Sequence, residues 1–378
     1  MHRRNFLNGI GLSLSSLLTA SGKVASDTLE NAQNKAENEE SVVLNTEEMG
    51  FQWPTLDPFL FCVHHEDQFP KGNAKLEVDA SYLKGRHIGD DFIIKDGFRM
   101  YHGDKVPGFP GHPHRGFETV TVVRTGLVDH ADSMGASGRY GNGDVQWMTA
   151  GKGVQHSEMF PLFHSDKENP LELFQIWLNL PKTNKMVEPH FKMLWKESIP
   201  KIETNDKNGK KVLVEVIAGK IDSYVAPTPP PNSWAANASN EVSIWNIKME
   251  KGTQYTLPPA TVGTGRMLYL YEGSLLKINN SVLKGYHAAQ LKPDKITTIF
   301  AENNDVSILI LQGKPIGEPV IQYGPFVMNT KAEINKAFED YHNTQFGGWP
   351  WPQYDQVHAA NLGRFAKHAD GTIETKEG

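Results

Sequence analysis

Two short strings constrain this chain more than anything else in it: His112-Pro113-His114 and, forty-two residues after His114, His156-Ser157-Glu158. In an extended strand, residues i and i+2 point to the same face. Each string therefore offers two potential ligands side by side. Two such strands facing one another inside a small β-barrel bring three imidazoles and one carboxylate to a point. That donor set suits a first-row divalent ion with one or two positions left open for water, substrate or dioxygen.

The strand reading fits the surrounding text. From Phe51 to about Val225 the chain is β-rich: Phe92-Ile93-Ile94, Thr119 to Val123, Val145 to Met148, Leu173 to Leu180 and Val212 to Ile217. Gly, Asp and Asn punctuate these runs, as turns between short strands require. Ala226 to Asn232 holds Pro227 and Pro229-Pro230-Pro231, a linker or extended strap. A second β-rich block, Glu241 to Gln312, echoes the first. Val122 to Val128 matches Tyr269 to Leu275 as strand, Gly turn, strand, and Gly143-Asp144-Val145-Gln146 matches Gly285-Tyr286-His287-Ala288. Repetition of an all-β unit of this size predicts two stacked barrels or sandwiches. After Pro325 the pattern changes. Thr330 caps a predicted helix with Glu333 at its third position and Ile334, Ala337, Phe338 and Tyr341 on one face.

The ends of the chain read differently. Arg3-Arg4-Asn5-Phe6-Leu7 precedes an apolar run from Gly9 to Ala20, too short to span a bilayer but suited to a secretory signal. Residues 1–26 are thus expected to be a twin-arginine signal, cut after Ala20 or Ser26, which sends the folded, metal-loaded protein to the periplasm or beyond. Residues 27–50, acidic around Glu37 to Glu40, read as a disordered tether. The expected divisions are 51–225 for the metal-bearing domain, 226–346 for the second barrel with its helix, and 347–378 for a Trp/Pro-rich tail with a frayed end. A formal net charge of −6 gives no attraction to nucleic acid, and stable membrane insertion is not expected. The single cysteine, Cys62, excludes an internal disulfide or a thiolate cluster and reads as a small buried residue.

Five side chains compete for the metal: His112, His114, Glu118, His156 and Glu158. Glu118 lies an even number of residues from both His112 and His114 and so could share their face. Glu158 is preferred because it shares one unbroken strand with His156; Glu118 is expected to orient a histidine or line the cavity. His64 and His65 alternate faces, so at most one points inward. The other histidines, His102 and His130 among them, stand alone and read as surface or core residues. The second block serves as a control. The offsets that give the four ligands in the first block give Pro259, Thr261, Thr298 and Phe300 in the second, so one metal per chain is expected. Trp147, Met148, Phe117 and Phe160 are expected to wall the site.

These residues carry a resemblance. Gly111 to Val120 (GHPHRGFETV), Gly143 to Met159 (GDVQWMTAGKGVQHSEM) and Tyr323 to Thr330 (YGPFVMNT) are similar to the pirin family of bicupins, over roughly Phe51 to Gly347. The resemblance implies an all-β fold of two stacked cupin barrels, with iron(II) in the first; Mn, Co, Ni, Cu or Zn suit the same donors. Carried over by position, the family's ligands fall on His112, His114, His156 and Glu158. Some members resemble quercetinases, which open flavonols with dioxygen and loss of carbon monoxide. For this chain that implies a flavonol-like substrate, dioxygen, and Glu158 as acceptor of the 3-hydroxyl proton. Other members look like non-enzymatic, iron-dependent partner-binding proteins, and a purely stabilising metal is a third reading. The export signal departs from the family pattern and argues against a nuclear role.

Overall fold

The structure, a computed structural model, describes residues 41–377. The signal and most of the acidic tether lie outside the described residues. Two β-barrels are stacked on one another. The first is built from two sheets. One holds five strands in the order His190–Leu194, Val145–Thr149, Phe117–Thr125, Asn169–Asn179, Phe59–Phe69. The other holds six, in the order Ile373–Lys376, Arg364–Lys367, Ser137–Gly141, Leu127–Asp132, Val154–Met159, Gly108–His114. The second barrel pairs a seven-stranded sheet with a four-stranded one. All strand pairings within these sheets are antiparallel.

Alternation along the strands explains how the barrels stack. On Phe117–Thr125, Val120 and Val122 face outward, into a core shared by the two barrels with Trp53, Trp147, Phe174, Tyr269 and Leu309. Trp53 stacks on Tyr269 with ring centroids 5.1 Å apart. The neighbouring Phe117 and Thr121 face the interior of the first barrel, where they meet His114 and Glu158. Large side chains buried on both faces of one sheet, each worth roughly 1.5–3 kcal/mol, fix its register, because a slip of one residue would exchange the two sets.

Several expectations are corrected. The tether was expected to reach Gly50, but Val43–Glu48 forms an edge strand against His287–Leu291. Its side chains are mostly exposed, so its polar composition concealed a strand held by backbone pairing. Lys201–Asn205 and Lys211–Ala218 were placed in the first domain but pair into the seven-stranded sheet of the second barrel, through Ser243–Met249. The proline strap after Ala226 therefore follows, rather than precedes, the first strands of that barrel. Ile93 and Ile94 are exposed loop residues, confined between turns at Gly89 and Gly97. The helix agrees with its signature: Lys331–Thr344 is capped by the Thr330 hydroxyl, which accepts from the Glu333 N–H, and it buries Ile334 and Ala337.

The tail is not frayed through to its end. Arg364–Lys367 pairs with Ser137–Gly141 and Ile373–Lys376 extends the same sheet. Arg139 forks onto Asp129 and donates to the carbonyls of His358, Ala359 and Leu362. Ahead of these strands, the tail lies against the outside of the strands that carry the histidine strings. The Trp351 indole donates to Asp132 O at 2.8 Å, and Gly111 N–H donates to Tyr354 O at 2.9 Å. A side chain at Gly111 would come within 2.4 Å of the Tyr354 ring.

Candidate metal centre

The strands Gly108–His114 and Val154–Met159 lie side by side and antiparallel, with His112 opposite His156. The i,i+2 spacing turns both rings of the first string, and the His156 ring of the second, to one point. Ring centroids are 4.8 Å apart for His112 and His114, 4.5 Å for His112 and His156, and 5.0 Å for His114 and His156. One nitrogen from each ring lies within 4.8 Å of the other two. Glu158 sits beside this cluster, with Oε2 at 3.7 Å from His156 Nε2. A bulge between Phe109 and His112 sets Phe109, rather than a second polar residue, opposite Glu158.

Burial decides the charge state of this cluster. It depresses His112 to about 4 and holds His114 and His156 well below the ordinary histidine value. All three rings are therefore neutral at pH 7, the state in which imidazole ligates a metal. His112 Nδ1 donates to Pro110 O at 3.0 Å, which leaves Nε2 with its lone pair. His114 Nδ1 and both ring nitrogens of His156 are buried without a hydrogen-bond partner. Unpartnered buried nitrogens on two of three converging, neutral imidazoles are otherwise costly. A divalent ion resolves them, so the residues present fit a metal.

Glu158 is held by its neighbours. Its Oε1 lies 2.9 Å from the Thr121 hydroxyl, and its Oε2 accepts from Gln175 Nε2 at 3.3 Å. Burial pushes its carboxyl up, against the opposing hydrogen bond from Thr121. Neither Thr121 nor Gln175 was singled out in the sequence. Both lie on strands that meet Val154–Met159 only across the barrel.

Glu118 does not join the centre. It is fully buried, but its carboxylate accepts from Thr149 Oγ1 at 2.6 Å and Ser233 Oγ at 2.5 Å, on the face turned to the proline strap. The even count from His114 fails because the strand breaks at Arg115-Gly116. Gly116 has φ +85°, and a new strand starts at Phe117 with its alternation reset. His130 lies beside the centre as a core residue. Although it stands alone in the sequence, it is fully buried, pairs with Glu158 across the Leu127–Asp132 strand, and has its ring centroid 5.5 Å from that of His156.

A cavity of about 260 Å³ opens over His112, His114 and Glu158. Its walls are Phe51, Phe61, Phe92, Phe109, Phe160 and Trp177, with His65 and His102 among them. Of the four expected wall residues only Phe160 serves. Trp147 lies in the core between the barrels, Met148 in the core of the first barrel, and Phe117 behind the cavity, tilted against Trp177 with ring centroids 4.3 Å apart. The walls come instead from Phe59–Phe69, Asn169–Asn179 and the long connection between Phe69 and Gly108.

Comparison with known proteins agrees with this architecture. Residues 46–178 match the family model described as Pirin, and residues 244–347 match that described as the Pirin C-terminal cupin domain. The chain is 37% identical over 243 residues to a Pseudomonas aeruginosa protein provisionally named quercetin 2,3-dioxygenase, covering 63% of this chain and 79% of the relative. It is 35% identical over 273 residues to human pirin, covering 68% and 83%. The crystal structure of a quercetin 2,3-dioxygenase from Acinetobacter baumannii superposes with a TM-score of 0.63 and 29% identity, over 81% of this chain and 98% of that one. With two matched barrels, one of which holds the histidine cluster, the chain belongs to the pirin family.

Proposed function

We propose that this protein is a metal-dependent dioxygenase of the quercetin 2,3-dioxygenase type, with His112, His114, His156 and Glu158 holding one iron(II) ion. The observation that carries the reading is the cluster of three converging, neutral imidazoles, with unpartnered buried nitrogens on His114 and His156, at the floor of an apolar cavity. The relatives and structural neighbour that carry the quercetin dioxygenase name support it. Other first-row ions suit the same donors, and elemental analysis identifies the one used.

An ion held by these residues would supply Lewis acidity toward an enolic oxygen. The chain's own residues do the rest. Phe51, Phe61, Phe109 and Trp177 offer flat apolar walls to a flavonol and keep bulk water out. Glu158 is the carboxylate beside the cluster. Burial raises its affinity for a proton, so it is suited to take the proton of the flavonol 3-hydroxyl, while Thr121 and Gln175 keep it oriented. The central ring then opens with uptake of dioxygen and release of carbon monoxide. The Arg3-Arg4 signal supports export of the folded, loaded protein to the periplasm.

The test combines metal analysis with oxygen uptake. Metal-loaded protein is expected to hold about one ion per chain and to consume oxygen with quercetin, and His114→Ala is expected to lose both. Wild-type protein that holds the ion but consumes no oxygen with quercetin, under any first-row metal, refutes the dioxygenase reading and favours a metal-bearing binding protein.

A further inference from the structure

The far end of the metal cavity contains a second polar group with a fixed orientation. His65 lies on Phe59–Phe69, two and four residues from the cavity-facing Val63 and Phe61, so the same alternation turns its ring into the cavity. Behind it runs a buried chain of hydrogen bonds. Asp67 accepts from Arg99 N–H at 2.8 Å, Arg99 Nε at 3.0 Å, Arg99 Nη2 at 3.0 Å and the Tyr101 hydroxyl at 2.5 Å. Tyr101 has one proton, and Asp67 receives it. The Tyr101 oxygen can then only accept from His65 Nδ1, which lies 3.0 Å away. His65 is thereby held as the Nδ1–H tautomer, with its Nε2 lone pair free of that chain. Burial, reinforced by the nearby Arg99 charge, lowers His65 to about 3, which keeps the ring neutral.

His102, at the cavity mouth, repeats the arrangement. Its Nδ1 lies 2.7 Å from the Gly89 carbonyl, which can only accept, so Nδ1 carries a proton and Nε2 is the nitrogen left for a ligand. Tyr101, between them in the fold, has φ +58°, a backbone region that a large L-residue adopts at a cost. Phe109 separates this pole from the metal pole: its ring is 6.0 Å from His65 and 6.2 Å from His112. The cavity thus has a ligating end, an aromatic middle, and an end that carries two imidazoles whose Nδ1 atoms are already engaged.

We propose that His65, assisted by His102, is a hydroxyl-recognising subsite, which selects planar aromatic ligands that carry a phenolic O–H at the end remote from the metal. The inference rests on the reading of this cavity as the substrate site. His65 acts as a specificity residue, and Tyr101, Asp67 and Arg99 as the residues that fix its tautomer. A neutral hydrogen bond of this kind is worth about three- to tenfold in affinity.

The probes are quercetin, with hydroxyls on both outer rings, and 3-hydroxyflavone, which keeps only the 3-hydroxyl. Iron(II)-loaded full-length protein is titrated with each under nitrogen, and the shift in flavonol absorbance gives Kd. His65→Phe is expected to raise the Kd for quercetin relative to that for 3-hydroxyflavone about three- to tenfold. Tyr101→Phe, which releases the tautomer but keeps the ring, is expected to show a smaller loss of the same selectivity. The ratio of the two Kd values within one variant does not depend on how much of that variant folds. A ratio unchanged in His65→Phe overturns the subsite while the flavonol reading stands. Wild-type protein that binds neither probe overturns the flavonol reading, and the subsite with it.

Discussion

Glu118→Gln isolates a buried carboxyl that lies outside the metal centre. Its carboxylate accepts from the hydroxyls of Thr149 and Ser233, and burial pushes its pKa up from 4.5 to about 7, against those hydrogen bonds. The folded chain therefore holds this proton more tightly than the unfolded chain does. The stability contributed by protonated Glu118 is fully present below about pH 4.5 and is lost as the pH rises through about 7. At roughly 1.4 kcal/mol per pKa unit, the window corresponds to about 3 kcal/mol. In a domain of this size about 1 kcal/mol moves Tm by about 2 °C, so the effect is about 5 °C. Glutamine cannot ionise and removes the pH dependence. The variant is expected to melt about 5 °C higher relative to wild type at pH 8 than it does at pH 5. Any fixed penalty of the amide against the two hydroxyls moves the whole curve, not its slope. Metal occupancy also changes with pH, so the quantity read is variant minus wild type at each pH, by calorimetry on metal-stripped samples. Melting curves that stay parallel from pH 5 to pH 8 would refute the reasoning, because Glu118 would then titrate as an ordinary carboxylate.

The two carboxylates should separate cleanly by metal content. Glu158→Gln is expected to lose most of its metal, because Glu158 stands beside His156, whereas Glu118→Gln should bind metal as wild type does; equal loss in both would place Glu118 back at the site. Changing Arg3 and Arg4 to Lys together is expected to leave the precursor in the cytoplasm, and wild-type recovery of that variant from the periplasm would refute the export signal.

How far the sequence could be read depended on whether a feature is local. The parity of His112 and His114, and of His156 and Glu158, is a property of one strand each, and it survived folding intact. The Thr330–Glu333 cap was legible for the same reason. The count from His114 to Glu118 failed because it crossed a turn at Gly116, where alternation starts afresh. The acidic Val43–Glu48 strand and the last strand of the tail, Ile373–Lys376, were missed because backbone pairing at a sheet edge, rather than burial of side chains, holds them.

The sequence by itself determined that two short β-strands carry a metal-suited donor set, that the all-β unit is repeated, and which copy bears the donors. Tertiary structure alone decided what surrounds them. It brought Thr121 and Gln175 to Glu158, set His130 against His156, and joined His65 to Arg99 through Tyr101 and Asp67. Each of these contacts spans residues far apart in the chain or on opposite walls of a barrel. The period of a strand fixes which way a side chain points, but the closure of the barrel and the packing of its long connection fix what it meets.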